Sequence, residues 1–443
     1  MIVLPEEVKT ALDRLNASGF EAYAVGGCVR DSLLSLPVRD YDISTSALPE
    51  ETKAVFSDCR LVETGIRHGT VTVWLGESPL EITSYRVDGL YSDGRRPDSV
   101  SFTRSLREDA ARRDFTVNAM YYAPKEGLID PFGGQEDLNK RIIRAVGEPI
   151  KRFHEDGLRI LRALRFSSVY GFAIESETES ALRESKELLQ SISAERLQAE
   201  LLKLLGGKDV RRVLTSYADV LAVFLPELLP LHGFDQKNKY HIHDVLTHTA
   251  VVVENVENKP SLLLAALFHD IGKPACFSVD KKGFGHFYGH AEASVAIAEK
   301  LLDRLKISGA VRQEVLTLIR CHDIRFPAQR KTVKKWMAKL TPALFFDLIK
   351  LKKGDLLGQS PAYIGEMAEL NRMEELASDV LAKQECLSLS SLAINGSDLL
   401  SLGFSQGKEV GSTLNQLLER VLDGSLPNEK DDLLREAESL RRR

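Results

Sequence analysis

Two aspartates one residue apart, Asp40 and Asp42, follow a Gly26-Gly27-Cys28-Val29-Arg30-Asp31 turn by about ten residues. In an extended Asp-Tyr-Asp the two side chains share one face. Carboxylates so placed can hold a pair of Mg²⁺ ions, the apparatus for in-line attack on a phosphate. The preceding residues suit the same chemistry. Residues 22–25 read as a short buried strand and residues 29–36 as a short helix stopped by Pro37. Glycines at such a strand-to-helix turn let backbone N–H groups approach a phosphate, and the helix start favours negative charge. Either feature alone is an ordinary turn or a solvated strand end. In this order and spacing they point to phosphoryl transfer.

Two further clusters carry charge in patterns that could serve a nucleotide. Glu108-Asp109-Ala110-Ala111-Arg112-Arg113-Asp114 leads into an apolar, helix-like run at Phe115-Thr116-Val117-Asn118-Ala119-Met120. Glu155-Asp156-Gly157-Leu158-Arg159-Ile160-Leu161-Arg162-Ala163-Leu164-Arg165-Phe166 places Asp156 and Arg159 three apart, adjacent on a helix surface, with Arg162 and Arg165 extending the row. Leu158, Leu161 and Leu164 form the buried side. A surface helix laced with ion pairs has the same pattern.

The elements that must position these residues divide the chain unequally. Up to about residue 147 the pattern is mixed: a helix over 7–18, then strands at 22–25, 41–44, 70–75, 80–84 and 99–102. From about residue 151 amphipathic helices dominate, broken at Gly206-Gly207, Gly233, Lys259-Pro260 and Ser360-Pro361, with a loop or short hairpin over 277–288. The expected fold class is α+β, a mixed-sheet head on a mostly helical body.

A chain of 443 residues has room for two to four cores. Its five scattered cysteines include no Cys-x-x-Cys pair, the pattern of a reduced cytoplasmic protein with neither a disulfide framework nor a zinc site. No basic-then-apolar leader opens the sequence, and the longest apolar run, 262–268, is far too short to cross a membrane. The net charge of −5 is a weak guide to a nucleic-acid partner, because local clusters decide binding.

Taken in order, GGCVRD with DYD, RRDFTVNAM, DPFGG, EDGLRILRALRF and the Glu195–Glu200 segment ERLQAE resemble the class II tRNA nucleotidyltransferases, the CCA-adding enzymes, over roughly the first half of the chain. These share their polymerase-β-like head with bacterial poly(A) polymerases. The resemblance implies that Asp40 and Asp42 bind two Mg²⁺ ions, with Glu81 as a third acid. It implies that Gly27 and Arg30 contact the triphosphate, and that Arg113 and Asp114 contact phosphate and sugar. Asp156 and Arg159 would pair with the incoming base, and Arg162 and Arg165 would continue toward phosphates. The chemistry is coherent: a carboxylate accepts from the exocyclic amine of C or A, and a guanidinium donates to the adjacent ring nitrogen. U and G present a carbonyl there, and an unpaired buried polar group costs about 1–3 kcal/mol. The implied partners are the tRNA 3′ end, CTP and ATP; no obligate protein partner is evident.

Residues 87–98 resemble the mobile loop of full CCA-adding and A-adding enzymes, which disfavours CC-only addition and leaves the other two open. Residues 65–71 resemble the CCA-adding branch rather than the polymerases.

Farther on, His248, the doublet His269-Asp270 and Asp355 resemble the metal ligands of HD-domain phosphohydrolases, with His290 and His322 as candidate ligands to a second metal. Imidazole and carboxylate suit several divalent transition metals. In this family such domains act as phosphatase or 2′,3′-cyclic phosphodiesterase on RNA ends, or as inactive scaffolds. The rival readings are therefore an HD hydrolase with a secondary nucleotidyl head, and a non-catalytic RNA-binding scaffold. The basic run 329–339 suits either a tRNA backbone or water. The expected domains are a head (1–147), a helical neck (148–230), an HD domain (231–360) and a helical tail (361–443).

Overall fold

Residues 2–63, 65–89 and 100–442 are described by a computed structural model. The expected lever over residues 87–98 therefore lies mostly outside the described residues. The chain forms two compact units, Met1–Pro226 and Glu227–Arg443.

The first unit begins with a helix, Glu6–Ala17, whose Val8, Ala11, Leu12 and Leu15 recur at helical spacing and are buried. The strands follow: β1 (Ala22–Val25), β2 (Asp42–Thr45), β3 (Arg60–Val62), β4 (Thr70–Leu75), β5 (Ser78–Ser84), β6 (Arg86–Asp88), β7 (Val100–Phe102), β8 (Tyr121–Ala123) and β9 (Gly127–Ile129). Seven of them make one mixed sheet in the order β3-β4-β5-β2-β1-β8-β9, while β6 and β7 form a separate antiparallel pair. All four residues of β1 are buried, as a central strand covered on both faces requires. β4 alternates, with Val71 and Val73 inward. Within this sheet, among the described residues, the one parallel pairing, β2 with β5, sets Glu81 beside Asp42.

Three local expectations fail. The short helix after the glycine turn spans Gly27–Leu33 and ends early, with Ser35 in the left-handed region. The strand expected from residue 41 starts at Asp42, so Asp40 and Tyr41 belong to the irregular lead-in. The apolar run after Asp114 is not a helix. Phe115 is extended and bridges Ala145, Asn118 Nδ2 donates to Asp114 Oδ1 at 3.0 Å, and a 3₁₀ turn at Thr116–Asn118 delivers the chain to β8. Local side-chain hydrogen bonding outcompetes the helix there.

The rest of this unit is mostly helical, apart from a short parallel pair of Ile142–Ile143 with Ala173–Ile174. Pro149–Glu155 and Leu158–Tyr170 are separate helices broken at Asp156-Gly157. A Cβ on Gly157 would lie 2.9 Å from Leu188 Cβ, so only glycine lets the break pack this closely.

In the second unit, Pro260–Phe268 is buried on every side and carries proline in its first turn, where a missing N–H costs nothing. Val245–Glu254 is capped by Asp244, whose Oδ1 accepts from Thr247 N at 2.7 Å. The final helices enclose a small core of their own around Phe404, Leu417, Val421 and Leu433. Among the described residues no helix is long and apolar enough to cross a membrane.

Candidate active site

The parallel β2–β5 register brings Asp42 and Glu81 side by side, and with Asp40, Arg39 and Tyr41 they line a cavity of ≈ 610 Å³. Asp42 keeps solvent access at its surface, yet its carboxyl is crowded. Partial burial, the Glu81 charge and the Asp40 charge together raise it, against an opposing pull from Arg113. Three acids that repel one another fit a divalent cation, which their hard oxygens suit.

The glycine turn is shaped by its neighbours. Gly26 has φ 76°, a left-handed conformation, and a Cβ there would meet Arg113 Nη1 at 3.4 Å. At Gly27 an added Cβ would find only ordinary contact with Arg30 Nη2, so the protein itself does not demand glycine at that position. Arg30 is buried over the rings of Phe166 and Tyr170 and paired with Asp31 at 2.9 Å. Arg113 is held by Tyr121 Oη at 3.1 Å, Ser44 Oγ at 3.1 Å and Asp109 Oδ2 at 3.2 Å. Fully buried Asp109 also accepts from Tyr121 Oη and Arg112, so it ties the arginine pair to the strand that carries Asp42.

The base-pairing candidates are arranged differently from a simple surface row. Asp156 lies between the two helices, not on one, and its Oδ1 accepts from Leu158 N at 3.0 Å. Its Oδ2 accepts from Arg196 at 2.7 Å. Arg159 is buried, donates to Glu155 Oε2 at 2.7 Å and to the Arg112 carbonyl at 2.9 Å. Arg162 donates from Nε to Asp114 Oδ2 at 2.8 Å, and Arg165 pairs with Glu200 at 2.6 Å. Burial alone would raise the Asp114 carboxyl, but Arg162 and Asn118 overcome it and hold it well below the usual range. The helix is thus packed on its charged side as well as its leucine side, because each guanidinium finds a carboxylate or carbonyl.

In the second unit six of the predicted residues converge. His248, His269, Asp270 and Asp355 form one group, and Asp270, His290 and His322 a second that shares Asp270. Each histidine donates Nδ1–H to a backbone carbonyl: His248 to Gly358 at 3.0 Å, His269 to Ala266 at 2.8 Å, His290 to Phe287 at 2.9 Å and His322 to Ile319 at 2.6 Å. That fixes every Nε2 to face inward, the orientation metal-binding imidazoles take. The Nε2 atoms of His248 and His269 are 3.3 Å apart and those of His290 and His322 are 3.2 Å apart. Opposed lone pairs at that range require a proton or cation between them. Asp270 Oδ2 is buried without a hydrogen bond of good angle, although Lys273 Nζ is 2.7 Å away. Burial alone would lower His269, yet Asp270 and Asp355 push it up to about 10, so the pocket demands positive charge. The donor set fits a divalent transition metal.

Several residues here carried little signal in the sequence. Asp109 stood among other acids and read as solvated charge. Arg196 lay inside ERLQAE with nothing to tie it to Asp156 forty residues earlier. Lys273 follows the His-Asp doublet closely, but only its buried amine reveals its place beside Asp270.

Comparison with known proteins decides the family. The model of the poly A polymerase head domain matches residues 22–144, a model of an RNA- and SrmB-binding site of polymerase A matches 171–231, and one of tRNA nucleotidyltransferase domain 2 matches 286–437. The chain is similar to the CCA-adding enzyme of Limosilactobacillus fermentum, 34% identical over 99% of this chain and 98% of the relative. It is likewise 34% identical to the CCA-adding enzyme of Enterococcus faecalis, over 98% of this chain and 96% of that one. This chain belongs to the CCA-adding enzymes. As a CCA-adding enzyme it is a nucleotidyltransferase, with the mixed-sheet, polymerase-β-like head and helical body of that class. A solved structure of the Bacillus stearothermophilus CCA-adding enzyme in complex with CTP superimposes with a TM-score of 0.75 at 29% identity, covering 99% of this chain and 98% of that one. The Thermotoga maritima CCA-adding enzyme complexed with tRNA shares the fold, with a TM-score of 0.61 at 22% identity over 99% and 97%.

Proposed function

We propose that this chain adds nucleotides from CTP and ATP to the 3′ end of tRNA, without a nucleic-acid template, to complete CCA. The observation that carries the reading is the gathering of Asp40, Asp42 and Glu81 on one cavity, with Arg113 packed against the Gly26 turn. The relatives named as CCA-adding enzymes support it across nearly the whole chain.

Asp40 and Asp42, with Glu81, would hold two Mg²⁺ ions, which supply charge stabilisation to the attacking 3′-hydroxyl and the leaving pyrophosphate. Gly27, which nothing in the protein requires to be glycine, lets backbone N–H groups approach the triphosphate. Arg30 and Arg113 provide positive charge, pre-positioned by Asp31 and Asp109, so little reorganisation is needed on binding. Asp114 faces the sugar, with Arg162 and Arg165 behind it toward phosphate. Asp156 and Arg159 read the base edge. Asp156 keeps Arg196 while a remaining lone pair of its carboxylate accepts from the base amine, and Arg159 must exchange Glu155 for a hydrogen bond to the base.

The test uses three tRNA transcripts ending before CCA, after C and after CC, each given CTP, ATP, UTP or GTP singly and together, beside an Asp40→Ala control. Ordered C-C-A growth that stops, and that the control abolishes, is the expected result. Addition of A to the CC-ended transcript alone identifies the A-adding alternative instead.

The histidine–aspartate centre favours a second activity. Four inward Nε2 atoms and two carboxylates would hold divalent transition metal, which supplies an activated water for phosphoester hydrolysis. We assign this to an HD domain over 231–360, beside a head over 1–147, a neck over 148–230 and a tail over 361–443.

A further inference from the structure

Tyr288 is 77% exposed, more than any other large hydrophobic side chain among the described residues. Its ring stacks on His286 with centroids 5.2 Å apart and planes within 9°. The His286 ring is held at both nitrogens, Nε2 lying 3.3 Å from Asp280 Oδ2 and Nδ1 3.3 Å from Tyr288 Oη. The short hairpin of Ser278–Val279 and Gly285–His286 that carries them is clamped to the body. Gly285 N donates to the Lys237 carbonyl at 2.8 Å, and a Cβ on Gly285 would fall 2.2 Å from the Gln236 carbonyl oxygen. Between the two rings in sequence, Phe287 turns the other way onto Phe277 and Phe234, and its carbonyl takes the Nδ1–H of His290. A rigid, open aromatic face therefore stands two residues from a candidate metal ligand. Both line one cavity of ≈ 350 Å³ that also holds Asp270, His322 and Asp355.

We infer that the Tyr288–His286 pair is a base-stacking shelf, which seats the nucleobase of an ester held at the histidine–aspartate centre. That the ester is hydrolysed there rests on the hydrolase reading of that centre; the stacking itself does not. A nucleobase has a π-face that an exposed aromatic ring binds without needing hydrogen bonds, whereas an aliphatic phosphoester has nothing to place there. In the hydrolysis one water is consumed. Its oxygen forms the new bond to phosphorus, the phosphorus–ribose oxygen bond breaks, and the departing ribose oxygen takes the proton that the water gives up.

The experiment compares the full chain loaded with Mn²⁺ as wild type, Tyr288→Ala, Tyr288→Phe and His269→Ala, on adenosine 2′-phosphate and on glycerol 2-phosphate. Hydrolysis is followed by phosphate release and binding by calorimetry, counting only the part that His269→Ala removes. The expected result is a KM or Kd for the nucleotide about tenfold higher in Tyr288→Ala, the scale of one base–aromatic stack, with kcat little changed. Tyr288→Phe restores the wild-type value, and glycerol 2-phosphate is indifferent to either change. Equal KM and Kd for the nucleotide in wild type and Tyr288→Ala overturn the shelf while leaving the hydrolase standing. Binding that depends on Tyr288 without any turnover upholds the shelf and removes the hydrolase. No His269-dependent binding or turnover of either compound overturns both.

Discussion

Glu81 lies directly across the parallel ladder from Asp42, and its charge is one of the reasons the Asp42 carboxyl is raised. The pairing makes the two acids separable by experiment. Asp42→Ala is expected to lower tRNA extension about a thousandfold, since a lost cation ligand removes several kcal/mol of transition-state stabilisation. Glu81→Gln removes a repulsive neighbour, so Asp42 ionises at lower pH. The acid limb of the extension rate against pH is then expected to move to lower pH, on top of any loss in rate. An unmoved limb in Glu81→Gln would mean that the two carboxylates do not interact.

Arg196 donates to Asp156 at 2.7 Å while Leu158 N holds the other carboxylate oxygen. The carboxylate is thereby oriented before any nucleotide arrives. Without Arg196 it can rotate, and its preference for an exocyclic amine over a carbonyl weakens. Arg196→Ala is expected to reduce discrimination of CTP and ATP against UTP and GTP about tenfold, within the 1–3 kcal/mol range of one unpaired polar group. Competition assays on the three transcripts, read by sequencing product ends, measure the ratio. Unchanged selectivity with a slower rate would assign Arg196 to packing alone.

Asp114 and Arg162 couple the segment before β8 to the helix Leu158–Tyr170. The Asp114 carboxyl is held well below its ordinary value of about 3.9. A depressed folded-state pKa gives stability that is present above the unfolded value and lost as pH falls below it. Thermal stability is therefore expected to decline below about pH 5. Asp114→Asn should cost about 3 kcal/mol at neutral pH, because Arg162 loses its nearer carboxylate and keeps only Glu200 at 3.9 Å, and should make the acid decline shallower. Melting curves of both proteins from neutral to acid pH check the two effects together. A parallel pair of curves would show that Asp114 does not titrate in this range.

How far the sequence shows this depends on the range of the interaction. Gly26, Gly27 and the Asp40–Asp42 pair are legible because a glycine turn and two acids one residue apart are local signals, although Asp40 lies before β2 rather than on it. The β2–β5 register that adds Glu81 is a long-range pairing, and no pattern in either strand specifies it. The break at Asp156 is not legible, since Leu158, Leu161 and Leu164 keep helical spacing while the reason for the break, Gly157 against Leu188, lies about thirty residues away. The apolar run at Phe115–Met120 read as helix because the Asn118–Asp114 bond that breaks it depends on side-chain geometry. Conversely, His248, His269-Asp270 and Asp355 were legible as residue types, and their convergence is a property of the helices that carry them.

His248 and His269 present unprotonated Nε2 atoms to each other only if something positive sits between them. Otherwise a proton must serve, and the Asp270 and Asp355 carboxylates, which push His269 up to about 10, favour it there. A bound divalent metal replaces that proton and binds the folded chain alone. At a concentration a hundredfold above its dissociation constant it adds about 2.7 kcal/mol. The melting temperature of the wild type is therefore expected to rise by several degrees with Mn²⁺ or Ni²⁺ and to fall back on chelation. His269→Ala should show a smaller shift and less bound metal than wild type by elemental analysis, the remainder being the cation held by Asp40 and Asp42. Its tRNA extension should stay within about twofold of wild type, because its side chain belongs to the second unit's centre and Asp40 and Asp42 are untouched. Loss of extension in a folded His269→Ala protein would instead make the metal centre part of the transferase reaction.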